Sequence, residues 1–312
     1  MKTLVAMIML SVGSPTFALQ PPCTELYCPP VPGLMTPREL ATQPARPADA
    51  RVTYGADASQ FVELRVPGGD GPHPVVVLIH GGCFKTYGSS ADMAAMGDAL
   101  KADGIATVNV EYRRLDQPGG GWPNTYLDVG SAIDSLRSLS YHYHLDLDHV
   151  VIVGHSAGGH LAMWAAGRSR EPRGSALYVA KSLPVRGVID LAGPLDLAAN
   201  IDGYESLCRD HVITRLMGGT PQTAPEHYAQ ASPIRLLPLG IPQVIVLGEH
   251  EDFVPRPLAE SYVEAARRAG DRVQLILIPG VGHFEIANPV ASPWPQVRAA
   301  IRSLLAGHLP RP

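Results

Sequence analysis

The stretch Val150-Val-Ile-Val-Gly-His-Ser-Ala-Gly-Gly-His-Leu-Ala-Met-Trp-Ala-Ala166 sets Gly-x-Ser-x-Gly between a β-branched apolar run and an apolar, alanine-rich segment. The five-residue pattern alone would arise by chance in about one chain in ten of this length at ordinary glycine and serine usage. Its flanks make it specific. Val150 to Val153 read as a strand buried on both faces, and Leu161, Ala162, Met163, Ala165 and Ala166 as a packed helix. A strand that delivers a serine to a sharp turn, with glycines where backbones must approach and a helix leaving the turn, is a nucleophile elbow. Ser156 is therefore the candidate nucleophile.

A serine hydroxyl reacts poorly at neutral pH and needs a base, itself oriented by a third group. After a strand-turn-helix elbow the expected chain order is serine, acid, histidine. The acid should follow a buried strand, and Gln243-Val-Ile-Val-Leu-Gly-Glu-His-Glu-Asp-Phe-Val-Pro255 supplies one. Asp252 is the favoured acid, with Glu249 and Glu251 as close competitors. The next strand, Val273 to Ile278, leads into Pro279-Gly-Val-Gly-His283, which makes His283 the candidate base; His142, His144, His149, His211, His227 and His308 have no such placement. Acyl transfer also needs donors aimed at a developing oxyanion. Val75 to Ile79 ends in His80-Gly-Gly-Cys-Phe84, so the N–H groups of Gly82 and Cys83, together with that of Ala157, are assigned to this role.

Further out, apolar runs and helical periodicity alternate. Strands are expected at Phe61 to Val66, Val75 to Ile79, Ile105 to Val110, Gly187 to Leu191, Gln243 to Leu247 and Val273 to Ile278. Helices are expected near Ala91 to Asp103, Tyr126 to Leu139, Arg256 to Ala269 and Gln296 to Leu305. Such alternation implies an α/β fold, a mostly parallel central sheet with helices on both faces. The alternation lapses at about 196–238, where short helices are expected as a small cap insertion above the sheet. Residues 19–50 are rich in proline and read as an extended arm, which leaves 51–312 as one catalytic domain.

Composition narrows the partners. The 312-residue chain is 46% hydrophobic and carries a net charge of −4 with no basic run, so nucleic acid is an unfavoured partner. Residues 1–18, a single early lysine, an apolar core and Thr16-Phe-Ala18, read as a signal peptide cleaved after Ala18, which implies a secreted or periplasmic protein. The apolar run is too short for a stable membrane anchor. Four cysteines in an exported chain allow three pairings. A local Cys23–Cys28 bridge would leave Cys83 with Cys208, and free buried thiols at the latter two remain an open alternative.

With these residues in place the chain resembles the α/β-hydrolase superfamily, in particular the branch of hormone-sensitive-lipase-like esterases, kynurenine formamidases and feruloyl and acetyl esterases. The matching pieces are His80-Gly-Gly-Cys-Phe84, Glu111-Tyr-Arg113, Trp122-Pro123, Gly154-His-Ser-Ala-Gly-Gly-His-Leu-Ala162, Ala231-Ser-Pro233, Gly248-x-x-x-Asp252-x-Val-Pro255 and Gly282-His283. The resemblance implies a cofactor-free serine hydrolase acting on small to medium carboxylic esters through an acyl-enzyme. The alternatives are an arylformamidase or amidase with the same triad, an exopeptidase, or a catalytically silent binding protein. Phe84, Trp122 and His155 are the candidate substrate-binding residues. Cys83-Phe84 departs from the glycine or aromatic followed by Trp that relatives often carry, so the oxyanion loop and acyl pocket are not transferred with the rest.

Overall fold

A computed structural model describes Tyr27 and residues 31–311. The expected signal peptide, Cys23 and Cys28 lie outside these residues. The described residues form one eight-stranded sheet from β1 (Ala50–Thr53), β2 (Phe61–Arg65), β3 (His73–Ile79), β4 (Ala106–Val110), β5 (Leu145–His155), β6 (Gly187–Leu191), β7 (Gln243–Gly248) and β8 (Val273–Ile278). Their spatial order is β1-β2-β4-β3-β5-β6-β7-β8. The β1-β2 and β2-β4 pairs are antiparallel and every other pair is parallel. This is the mostly parallel sheet expected from the alternation, and it agrees with the α/β-hydrolase fold that the resemblance implies.

β3, β5 and β7 each carry an unbroken apolar stretch because both faces of the sheet are covered there. Val75 to Ile79, Val150 to Val153 and Val244 to Leu247 are each wholly shielded from solvent, as a sheet sandwiched between helical layers requires. Each such Val, Leu or Ile contributes on the order of 1.5–3 kcal/mol of transfer free energy. The covering helices are α2 (Ala94–Ala102), α3 (Asn124–Leu139), α4 (Ala157–Gly167), α8 (Arg256–Arg268) and α9 (Trp294–Leu305). The cap insertion contains α5 (Leu197–Cys208), α6 (Val212–Met217) and α7 (Pro225–Ala231). No helix among the described residues is long and apolar enough to cross a membrane.

The elbow depends on glycine in a way distances make explicit. A Cβ on Gly158 would lie 2.1 Å from the Ile79 carbonyl oxygen and 2.4 Å from that of His80, and one on Gly154 would lie 2.0 Å from the Gly158 carbonyl oxygen. The start of α4 is thus pressed directly onto the end of β3, which brings the serine turn and the His-Gly-Gly loop together. Gly158→Ala is expected to destabilise the protein by more than about 3 kcal/mol, because the clash is with backbone that cannot step aside. Urea unfolding checks this, and a loss under about 1 kcal/mol would contradict so tight a contact.

Two features differ from the sequence reading. β1, with its alternating half-exposed pattern, joins the sheet edge at Ala50. The arm is also not a free extended linker: Pro37–Ala41 forms α1, with the Thr36 side chain accepting from the Glu39 N–H and the Glu39 carboxylate accepting from the Thr36 N–H. That reciprocal cap, with proline at the first helical position, was readable as Thr36-Pro-Arg-Glu39. The Met35 N–H donates to Glu285 Oε1 at 2.6 Å, which fastens the arm to the body next to His283.

Candidate active site

Ser156 sits between β5 and α4 with φ 55° and ψ −122°. A non-glycine residue in that conformation is strained and persists only where its surroundings enforce it. The Ser156 N–H donates to the Leu191 carbonyl at 2.8 Å, so β6 holds the turn from the side. Ser156 and His283 line one cleft of about 580 Å³, counting space open to solvent, together with Gly81, Gly82, Cys83 and His155.

The acid contacting His283 is Glu251. Its carboxylate oxygens lie 2.8 and 2.9 Å from His283 Nδ1, and both side chains are almost completely buried. Glu251 Oε1 also accepts the Phe253 and Val254 N–H groups at 2.8 and 3.1 Å, so the turn after β7 fixes the carboxylate's direction. Asp252, the residue favoured by the spacing, faces the other way. It accepts the Tyr27 hydroxyl at 2.7 and 2.8 Å, and burial raises its carboxyl above the usual range despite that hydrogen bond. Glu249 clips the neighbouring loop by accepting the Gly280 N–H at 2.8 Å. Three acids within four positions cannot be told apart by spacing; side-chain length and the turn's free N–H groups select the second.

With Nδ1 turned to a carboxylate, Nδ1 carries the proton and Nε2 is the basic nitrogen. Nε2 is buried and has no hydrogen-bond partner among the described residues, so its lone pair is available to a hydroxyl proton. The Phe253 ring packs over the imidazole at 4.2 Å between centroids.

On the opposite wall, Gly82 has φ +99° and Cys83 and Phe84 have φ 56°. A Cβ on Gly82 would strike the Gly88 nitrogen at 2.3 Å. Among the described residues neither the Gly82 nor the Cys83 N–H has a protein acceptor, which leaves both for a ligand oxygen. The loop is braced from below: Tyr112 donates to the His80 carbonyl at 2.9 Å, and Glu111 reaches His80 Nε2 at 3.2 Å and accepts the Ser90 N–H at 3.0 Å. Burial alone would raise the Glu111 carboxyl, but His80, Arg114 and the Ser90 N–H hold it below the usual carboxylate range. Cys83 is bonded to Cys208 at the end of α5, with Cα atoms 5.6 Å apart.

The three candidate pocket residues fare differently. Phe84 is wholly buried, edge-on to His160, and does not line the cleft. Trp122 stacks on His227 and meets Tyr126 edge-on, which makes it a packing residue beneath the cap. His155 does line the cleft, but its Nε2 lies 2.9 Å from the His283 carbonyl oxygen. A carbonyl only accepts, so Nε2 carries the proton and the ring positions the His283 loop. Residues the sequence did not flag complete the wall: Tyr27, Pro37 and Leu40 from the arm, Phe253, Phe284 and Leu207. No cluster of three or more His, Cys, Asp or Glu that could hold a metal ion occurs among the described residues.

Burial, reinforced by the neighbouring His283, pushes the His155 imidazole down to about 3, and burial pushes His160 down to about 4. In the unfolded chain both would titrate near 6.5. Below that pH the unfolded state binds more protons, so this stability is present above 6.5 and is lost as pH falls toward the folded values. Each group contributes a slope of about 1.4 kcal/mol per pH unit. Unfolding free energy is therefore expected to drop steeply between pH 6.5 and 5, and replacing either histidine by glutamine should make the drop shallower. A slope unchanged in both variants would contradict the assignment.

A Gly-flanked serine on a strained turn, in one cleft with a carboxylate-bound imidazole and a loop of free N–H groups on this sheet, defines the α/β-hydrolase class of serine-esterase type. Residues 64–265 match the BD-FAE family, and the chain belongs to that family. It is 28% identical over 239 residues to Esterase LipC of Mycobacterium tuberculosis, covering 75% of this chain and 59% of that protein. It is 27% identical to the probable carboxylic ester hydrolase LipM of the same organism, covering 70% and 52%. The chain thus spans only a little over half the length of these curated relatives. Among solved structures, a truncated carbohydrate esterase from gut microbiota superposes with a TM-score of 0.69 at 21% identity, over 83% of this chain and 99% of that one. Esterase B from Lactobacillus rhamnosis superposes with a TM-score of 0.70 at 18% identity, over 86% and 90%. At these identities the structural likeness speaks for the fold.

Proposed function

We propose that this chain is an exported serine hydrolase that cleaves carboxylic esters of small to medium size through an acyl-enzyme, with Ser156 as nucleophile, His283 as base and Glu251 as the acid that orients it. The observation that carries the reading is the buried His283 ring, hydrogen-bonded to Glu251 through Nδ1, with an Nε2 that has no partner among the described residues, in the cleft that Ser156 lines. In the first half-reaction Ser156 Oγ bonds to the ester carbonyl carbon while its proton passes to Nε2, and the carbonyl electrons move onto oxygen beneath the N–H groups of Gly82, Cys83 and Ala157. Collapse breaks the bond to the alkoxide, which takes the proton from the imidazolium. Water repeats the sequence on the acyl-enzyme and releases the acid.

The esterase names of the relatives support ester over formamide substrates, and the Cys83–Cys208 disulfide supports an oxidising compartment. Tyr27, Leu40, Phe253 and Phe284 give the cleft an apolar and aromatic wall, which suits a compact acyl or aryl group. Assay of p-nitrophenyl esters graded from acetate to decanoate, beside aryl esters and N-formylkynurenine, tests this. The expected result is highest kcat/KM on short or aromatic esters and negligible formamide turnover; preferential formamide turnover would overturn the ester assignment.

A further inference from the structure

Tyr204 lies outside the residues that the serine, the base and the acid account for, yet its hydroxyl touches a reacting atom. The side chain is wholly buried, and its oxygen lies 3.0 Å from Ser156 Oγ, with the Ala157 N–H beside it. The ring is held between Phe84 and Phe253, with centroid distances of 6.2 and 6.0 Å. Tyr204 and Cys208 are four residues apart on α5, so they occupy the same face one turn apart. Cys208 is covalently joined to Cys83, whose N–H is one of the free donors of the opposite loop. Lys85 of that loop, itself buried, pairs with Asp210 just beyond α5. The loop that presents backbone donors and the helix that presents the phenol are therefore locked to one another twice.

We propose that the Tyr204 phenol is a catalytic hydrogen-bond donor to the substrate oxygen that becomes the oxyanion, and that the Cys83–Cys208 disulfide positions it. The inference rests on the serine-nucleophile reading above. At rest the phenol and the serine hydroxyl share one hydrogen bond, and the Ala157 N–H is a second partner of the phenol oxygen. When Oγ bonds to the carbonyl carbon, the new oxyanion forms within reach of a group already about 3 Å from Oγ, and the phenol O–H rotates onto it. The phenol keeps its proton throughout: the proton of Ser156 goes to His283 and then to the leaving alkoxide. Burial favours this, since it raises the phenol well above its ordinary range and keeps it a donor.

The test is Tyr204→Phe, which retains the ring and its packing, assayed beside wild type and Ser156→Ala on a short p-nitrophenyl ester. Expected is a fall in kcat of about 100-fold to 1000-fold with KM within about twofold, the signature of an interaction made in the transition state. A merely structural role would move the unfolding midpoint or KM instead. A kcat that is unchanged, or that rises because the phenol had blocked the site, overturns the proposal. The double variant Cys83→Ala/Cys208→Ala, or wild type reduced under native conditions, should lose kcat about tenfold or more, and the same opening should cost little more in a Tyr204→Phe background. Equal losses in both backgrounds would overturn the positioning role of the disulfide, and the reduced wild type supplies that readout without a fold-perturbing substitution. Retained turnover in Ser156→Ala would remove the underlying reading; an inert Ser156→Ala beside an unimpaired Tyr204→Phe would remove this inference alone.

Discussion

Glu251→Gln is expected to lower kcat by about ten-thousandfold on a short ester while KM and the unfolding midpoint change little. Glutamine preserves length and packing but presents either an amide N–H or a neutral oxygen to His283 Nδ1. It cannot stabilise the imidazolium that forms as Ser156 gives up its proton, and the wrong tautomer becomes accessible, which in comparable triads costs about four orders of magnitude. The internal control is one residue away. Asp252→Asn should retain activity within about threefold, since an asparagine oxygen still accepts the Tyr27 hydroxyl and the substitution removes a half-buried carboxylate from an unfavourable setting. The reverse result, a crippled Asp252→Asn beside a competent Glu251→Gln, would return the acid's role to Asp252. Steady-state kinetics on the two variants decide between them.

Ser156→Ala is expected to reduce kcat by about a millionfold with the fold intact, because removing the nucleophile alone costs about as much as removing a whole triad. Folding should survive: the backbone hydrogen bond from Ser156 to Leu191 does not involve the side chain, and alanine is smaller than the serine it replaces. The hydroxyl of Tyr204 would lose its partner, at a cost of about 1–3 kcal/mol. Activity above about one part in a thousand, measured on protein that still unfolds in a single cooperative transition, would remove Ser156 from the chemistry.

The elbow was legible because its meaning is local: Val150 to Val153, the glycines at 154 and 158 and the apolar helix specify one strand-turn-helix unit, and the structure forms it with Gly158 against the end of β3. Gly187–Leu191 and Val273–Ile278 were equally plain, since short runs dominated by Val, Ile and Leu, broken only by Asp190 and Gln274, have the length and composition of strands. What remained hidden depends on contacts across the fold. Asp252 and Glu251 differ only in which way a turn points them, and the partner that claims Asp252 is Tyr27, 225 positions upstream. Phe84 and Trp122 have the composition of pocket residues but are taken up by His160 and His227. Tyr204 sits in a stretch of weak periodicity and acquires meaning only when α5 is brought onto the serine. The arm's proline content masked a capping box that sequence spacing did offer.

Intact-mass and peptide mapping of the native protein after exposure to a fluorophosphonate, run beside the His283→Ala variant, tests the central claim most directly. A single stoichiometric adduct on the peptide carrying Ser156, forming in step with loss of ester turnover and suppressed in His283→Ala, is the result predicted by a buried imidazole whose Nε2 is free to activate that serine. Full inhibition with the adduct on another residue, or ester turnover that persists with Ser156 fully modified, would contradict it.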